Sequence, residues 1–106
     1  MERIYNKLVR DRIPNIIEEN GETPVIKILD ENEYKKELEK KLYEEYKEVI
    51  EASNDDRVEE LADMLEVIKA LASLENKSLN DIIDIADKKS EKRGAFVERI
   101  FLEKVI

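Results

Sequence analysis

The 106-residue chain is predicted to be all-α, a mainly helical domain built on an antiparallel helix pair with short extended segments at its N- and C-terminal ends. Three observations predict this. Only two Gly and two Pro punctuate the chain, which favours long, uninterrupted helices. Two segments carry apolar residues at helical spacing: Leu38, Leu42, Tyr46 and Val49 in one, and Leu61, Met64, Leu65, Ile68, Leu71 and Ala72 in the other. The polar cluster Ser53-Asn54-Asp55-Asp56 between them is short enough to fold the second helix back on the first. The length suits one domain spanning 1–106 and is too short for two ordinary ones.

The elements follow in order. Residues 7–20 hold a short helical pattern starting near Asp11, with Pro14 in the first turn, where its missing N–H costs little, and Gly21 as the stop. The run Thr23 to Leu29, TPVIKIL, suits either a strand or an extended arm. Asp30 precedes Glu33 at capping-box spacing, and a long helix is expected from there to about Ala52. The next helix is expected from about Arg57 to Glu75. Ser78 and Asp81 repeat the capping-box spacing and begin a helix that reaches about Arg93, with Gly94 as its end. The tail AFVERIFLEKVI suits either a strand or a last helix. As a strand it would pair with TPVIKIL, because an isolated strand is not stable. The wide apolar arc of the second long helix exceeds what one partner helix covers, which predicts a homodimer or higher homo-oligomer.

Composition narrows the function. There are 27 Asp and Glu against 19 Lys and Arg, a net charge of −8, which argues against general binding to nucleic acid or to an anionic membrane surface. Cys and His are both absent, removing thiolate chemistry, Cys-based zinc sites and the commonest general base. Any metal would have oxygen ligands, which suit Mg²⁺, Mn²⁺ or Ca²⁺. No apolar run approaches the roughly 20 residues of a membrane span. The opening MERIYNKLVRDRIP has no apolar core of a signal peptide, so the default expectation is a soluble cytoplasmic protein.

The acids of KKLYEEYKEVIEASNDDRVEELADMLEVIKAL, Lys40 to Leu71, are the candidate chemistry. At about 100° per residue, Glu45 falls at the border of the first apolar stripe, Glu48 one step further round and Glu44 on the outer side. Glu60 and Asp63 continue the apolar surface of the second helix, four residues before Met64 and Val67 respectively. A tight turn makes the helices antiparallel, so that Glu48 and Glu60 face each other. Like charges at such spacing are destabilising, and ionised carboxylates beside a core cost far more unless they are paired or coordinated. Lys41, Lys47 and Arg57 are the nearby bases, and their helical angles turn them mostly elsewhere. Two readings stay open on spacing alone: a solvated, salt-bridged hairpin, or carboxylates gathered to hold a divalent cation.

Three blocks together resemble the all-α nucleotide pyrophosphohydrolases, the MazG-like superfamily. Glu44-Glu45-Tyr46-Lys47-Glu48, then eleven residues, then Glu60-Leu61-Ala62-Asp63 is similar to its EExxE…ExxD signature. YNKLVRDRIPNII, Tyr5 to Ile17, resembles small phosphoribosyl-ATP pyrophosphohydrolase-like members, as does Lys92-Arg93-Gly94-Ala95-Phe96, with Ala95 where a second Gly is usual. The resemblance implies a MazG-like helix bundle. It implies Mg²⁺, or Mn²⁺, on Glu45, Glu48, Glu60 and Asp63, and a catalytic role for Glu44 or Glu48 in activating water. It further implies a nucleoside triphosphate substrate, cleaved between the α and β phosphates to a monophosphate and pyrophosphate. Lys7 and Arg10, with Lys92 and Arg93, are then the candidate phosphate contacts; the basic pair at the helix end also suits the helix dipole alone. Two alternatives remain: a non-catalytic helical interaction or regulatory module, and hydrolysis of phosphoribosyl-ATP in histidine synthesis.

Overall fold

The computed structural model describes residues 2–106 and is all-helical, with no strand among the described residues. Four helices run in order: α1 (Ile13–Glu19), α2 (Glu31–Glu51), α3 (Asn54–Leu74) and α4 (Leu79–Arg93).

Local chemistry sets the helix ends. Asp30 caps α2 in a capping box: the Glu33 N–H donates to Asp30 Oδ1 at 2.8 Å, and the Asp30 N–H donates to Glu33 Oε1 at 3.4 Å. Ser78 and Asp81 do the same for α4, with bonds of 3.1 and 2.9 Å. α1 starts two residues later than Asp11, with Arg12 at the cap position, no side-chain cap and Pro14 in its first turn. It ends in a Schellman motif: Gly21, at φ +80°, donates to the Glu18 carbonyl, and Glu22 donates to that of Ile17. α3 ends the same way, with Asn76 at φ +58° in the glycine-like position and Lys77 donating to the Ala72 carbonyl.

The turn between α2 and α3 is tighter than the sequence suggests, and α3 begins at Asn54 instead of Arg57. Ala52 and Ser53 are extended, and Asn54 takes the left-handed conformation at φ +54°, which Asn tolerates better than most residues. Asp55 and Asp56 then fall in the first turn of α3, where the helix dipole favours acids.

α2 and α3 pack against each other along their length, and α4 packs on α3. On α2 the buried residues are Leu38, Glu45 and Val49, with Leu42 half-buried among them, a spacing of four, three and four. On α3 the matching line is Glu60, Met64, Val67, Leu71 and Leu74. This alternation of three and four is the seam of two helices packed at a shallow angle. It explains one departure from the expected core. Tyr46 lies one residue past the seam position of Glu45, turned about 100° from it. It is half exposed and stacks on Tyr43 with ring centroids 6.2 Å apart. Leu61 and Leu65, expected in the core, lie on the far side of α3 and are about half exposed, in line with Val58.

The two undecided segments are neither strand nor helix. Residues 22–30 have no regular secondary structure, with Val25 and Ile28 exposed. The tail after Gly94 makes a turn at Phe96, closed by the Arg99 N–H on the Phe96 carbonyl, and continues without regular structure. The two segments do not pair, and Phe96 is 99% exposed. The radius of gyration is 18.2 Å, against roughly 13 Å for a compact chain of this size. No described helix is long and apolar enough to cross a membrane.

Candidate metal centre

The α2–α3 seam carries carboxylates where apolar residues would close it. Glu45 is 6% exposed, as buried as Val49 and Val67 at 7%. Its neighbours across the seam are Glu60 and Asp63, both half-buried. One carboxylate oxygen from each of Glu45, Glu60 and Asp63 lies within 4.8 Å of the others. Residues three apart share a helix face, so α3 offers Glu60 and Asp63 together, and the antiparallel hairpin brings Glu45 opposite them.

Two cations reach this cluster from its margins. Lys41, one turn before Glu45 and half-buried, points its Nζ at Glu45 Oε1 (3.5 Å) and at Glu44 Oε2 (3.6 Å). Arg10, from the segment before α1, donates Nη2–H to Asp63 Oδ1 at 2.8 Å. Neither satisfies the interior. Glu45 Oε2 and Glu60 Oε2 are buried and have no hydrogen-bond partner. A buried unpartnered polar atom costs about 1–3 kcal/mol, and more when charged.

The electrostatic strain is visible in the acidities. Glu60 is pushed up to about 7, chiefly by the neighbouring Glu48 carboxylate, then by desolvation and by the charges of Glu48, Asp63 and Glu45. Glu45 is raised above the ordinary carboxylate range by burial first. The neighbouring Glu48 carboxylate and the other nearby negative charges add to this, and Lys41 partly offsets it.

The expected site residues divide accordingly. Glu45, Glu60 and Asp63 converge. Glu48 is exposed, about 60° further round α2 than Glu45 in the direction away from Leu42, yet its carboxylate is close enough to help raise the pKa of both Glu45 and Glu60. It opens onto an acidic cleft lined also by Glu51, Ala52, Asp56, Glu59 and Glu60. Glu44 is on the outer side of α2, paired with Lys41 and lining a different groove with Tyr43 and Lys40. Lys41 is closer to the acids than its helical angle suggested. Lys47, by contrast, sits over the Tyr43 ring at 5.5 Å. Lys7 lies over the Tyr5 ring at 5.9 Å. Lys92 and Arg93 occupy the last turn of α4, and no hydrogen bond or ion pair among the described residues ties them to the cluster. The Arg10–Asp63 pair links positions 53 residues apart, and no periodicity in the sequence announces it.

The donor set fits one kind of guest. Oxygen ligands alone, several of them carboxylates, on a surface with no His or Cys, match a hard divalent cation such as Mg²⁺, Mn²⁺ or Ca²⁺. The two orphaned oxygens, Glu45 Oε2 and Glu60 Oε2, are the atoms such an ion would satisfy.

No family model matches the chain, and no solved structure matches it. A curated protein of Mycolicibacterium smegmatis, described as uncharacterized, is 48% identical over 50 residues, which is 47% of this chain and 51% of that protein. The matching segment thus spans about half the length of that relative.

Proposed function

We propose that the protein is a Mg²⁺-dependent nucleotide pyrophosphohydrolase of the MazG-like kind. It would split a nucleoside triphosphate at the α–β bond into a monophosphate and pyrophosphate. One observation carries the reading. A nine-tenths-buried carboxylate, Glu45, has an oxygen without a partner and faces Glu60 and Asp63 across a helix seam. The Lys41 ion pair reaches only Oε1 of Glu45, and an apolar seam would serve stability better.

On this reading Glu45, Glu60 and Asp63 hold the cation, and Glu48 joins them from the cleft side. Bound there, Mg²⁺ or Mn²⁺ would neutralise the polyphosphate and stabilise the charge that builds on its oxygens during cleavage. Glu48 suits the general base better than Glu44: it neighbours Glu60 and opens onto the cleft, whereas Glu44 is engaged by Lys41. Arg10 is the phosphate contact nearest the acids, with Lys7, Lys92 and Arg93 further candidates. The net charge of −8 otherwise repels a polyanion, so substrate binding would depend on the cation. The exposed line Val58, Leu61 and Leu65 supports a homodimer in which α3 is covered by a second copy.

A panel of nucleoside triphosphates, scored for pyrophosphate release with Mg²⁺, tests the activity. Turnover of at least one nucleotide, lost with chelator, is the expected result; no turnover of any, with no metal-induced rise in melting temperature, overturns it. The large exposed apolar surface favours a second reading, a non-catalytic helical module. That reading predicts no Mg²⁺ binding in a calorimetric titration.

A further inference from the structure

The residue that pairs with Asp63 is not on the hairpin. Arg10 belongs to an N-terminal arm, residues 2–12, that leads into α1, and α1 packs on no other helix. Among the described residues, the 2.8 Å bond from Arg10 Nη2 to Asp63 Oδ1 is the one hydrogen bond or ion pair joining this arm to the α2–α3 hairpin. The arm's other ion pair, Arg3 with Glu22, stays within the N-terminal third of the chain. Both partners of the Arg10–Asp63 pair are partly exposed, 59% and 43% at the side chain, so the contact is weak enough to exchange.

Asp63 therefore has two claimants. Its carboxylate contributes to the three-acid cluster, and a guanidinium already holds it. A divalent cation among Glu45, Glu60 and Asp63 would sit a few ångströms from that guanidinium, and like charges at such range repel strongly in a partly desolvated site. The cation also takes over what Arg10 does for Asp63, which is to neutralise an acid.

We propose that Arg10 is a cation-released latch. In the metal-free protein it pins the N-terminal arm across the acidic cluster, and binding of a divalent cation expels it from Asp63 and frees the arm. The inference rests on the cluster being a metal site. It adds that the site is guarded by the chain's own arginine, and that loading it delivers a free guanidinium beside it, placed to meet an anionic ligand.

The test uses the absence of native cysteine. Spin labels on Glu2→Cys and Lys69→Cys, both exposed positions, report the arm-to-hairpin distance. In the otherwise wild-type chain, saturating Mg²⁺ should lengthen and broaden the distance distribution. In the Arg10→Gln background the distribution should be long and broad before any Mg²⁺ is added, and calorimetry should show Mg²⁺ bound about two- to fivefold more tightly than by wild type. If Mg²⁺ binds but the wild-type distance does not change, or if Arg10→Gln binds Mg²⁺ no more tightly, the latch is wrong and the metal site stands. If the wild type binds no Mg²⁺ or Mn²⁺, the metal site itself is wrong and the latch falls with it.

Discussion

Glu45 on α2 and Glu60 on α3 present carboxylate oxygens within 4.8 Å of each other across the hairpin, and each has one carboxylate oxygen buried without a hydrogen-bond partner. Unpaired carboxylates in a helix seam cost stability. Glu45→Gln and Glu60→Gln should therefore each raise the stability of the metal-free protein. For Glu45→Gln the gain should be on the order of 1 kcal/mol, the scale of an unpaired buried polar group. That corresponds to about 4–8 °C in melting temperature for a domain of this size. Thermal unfolding in EDTA checks it, and a variant less stable than wild type would count against strain in the cluster.

Acidity supplies a second handle. Glu60 is raised from 4.5 to about 7 in the folded state, so its contribution to stability is fully present below 4.5 and is lost as pH rises through about 7. The metal-free protein should melt at progressively lower temperature between pH 5 and 8, and Glu60→Gln should flatten that slope. With saturating Mg²⁺ the trend should reverse, because the ion requires the deprotonated carboxylates. Scanning calorimetry across this range, with and without Mg²⁺, reads both slopes; parallel profiles for wild type and variant would exclude Glu60 as their source.

Metal binding should stabilise the fold by mass action, about 2.7 kcal/mol at a hundredfold excess over Kd. Asp63→Asn and Glu48→Gln should separate two roles. Asp63→Asn should remove most of the Mg²⁺-induced rise in melting temperature. Glu48→Gln should retain much of it yet lower nucleotide turnover by at least about 100-fold, the loss expected of a general base. Equal loss of the thermal shift in both would make Glu48 a ligand first.

The exposed row Val58, Leu61 and Leu65 predicts association. Light scattering should give at least twice the 12.5 kDa chain mass, and Leu65→Glu should shift the protein toward monomer. A monomeric wild type at working concentration would leave that row without a partner of its own kind.

Cap substitution tests the local architecture apart from the acids. Asp30→Ala removes the acceptor for the Glu33 N–H and should cost about 1 kcal/mol without altering Mg²⁺ affinity.

What could be read from sequence depended on how local the cause was. The boxes at Asp30–Glu33 and Ser78–Asp81 join residues three apart, and both form as the spacing implies. Glu60 and Asp63 were legible because helical angles alone align them with an apolar stripe. Glu45 occupies the seam although its helical angle puts it at the border of the apolar stripe, and Tyr46 lies outside the seam although its spacing puts it in that stripe. Stripes spaced by four drift round a helix, and only the partner helix decides which one becomes the interface. Asn54 and Asn76 act as left-handed residues that composition does not distinguish from any other Asn. The Arg10–Asp63 pair was illegible in principle, since an arm without periodicity can meet any exposed acid. TPVIKIL and the tail have strand-like composition but no mutual register, and Arg99 at φ +59° interrupts the tail where a strand would run.

The left-handed Asn54 has a consequence beyond closing the hairpin. Eleven residues separate Glu48 from Glu60, and every one of them lies in a helix or in the two-residue link Ala52-Ser53. Insert a single residue into the last turn of α2 and everything on one side of it rotates by about 100° relative to the other. Glu60 and Asp63 would then swing away from Glu45, and the orphaned oxygens would point to different solvents. The cluster is therefore phase-locked to chain length. Indels near residues 49–59 should be silent only in steps close to a whole helical turn, whereas conservative substitutions there should be widely accepted.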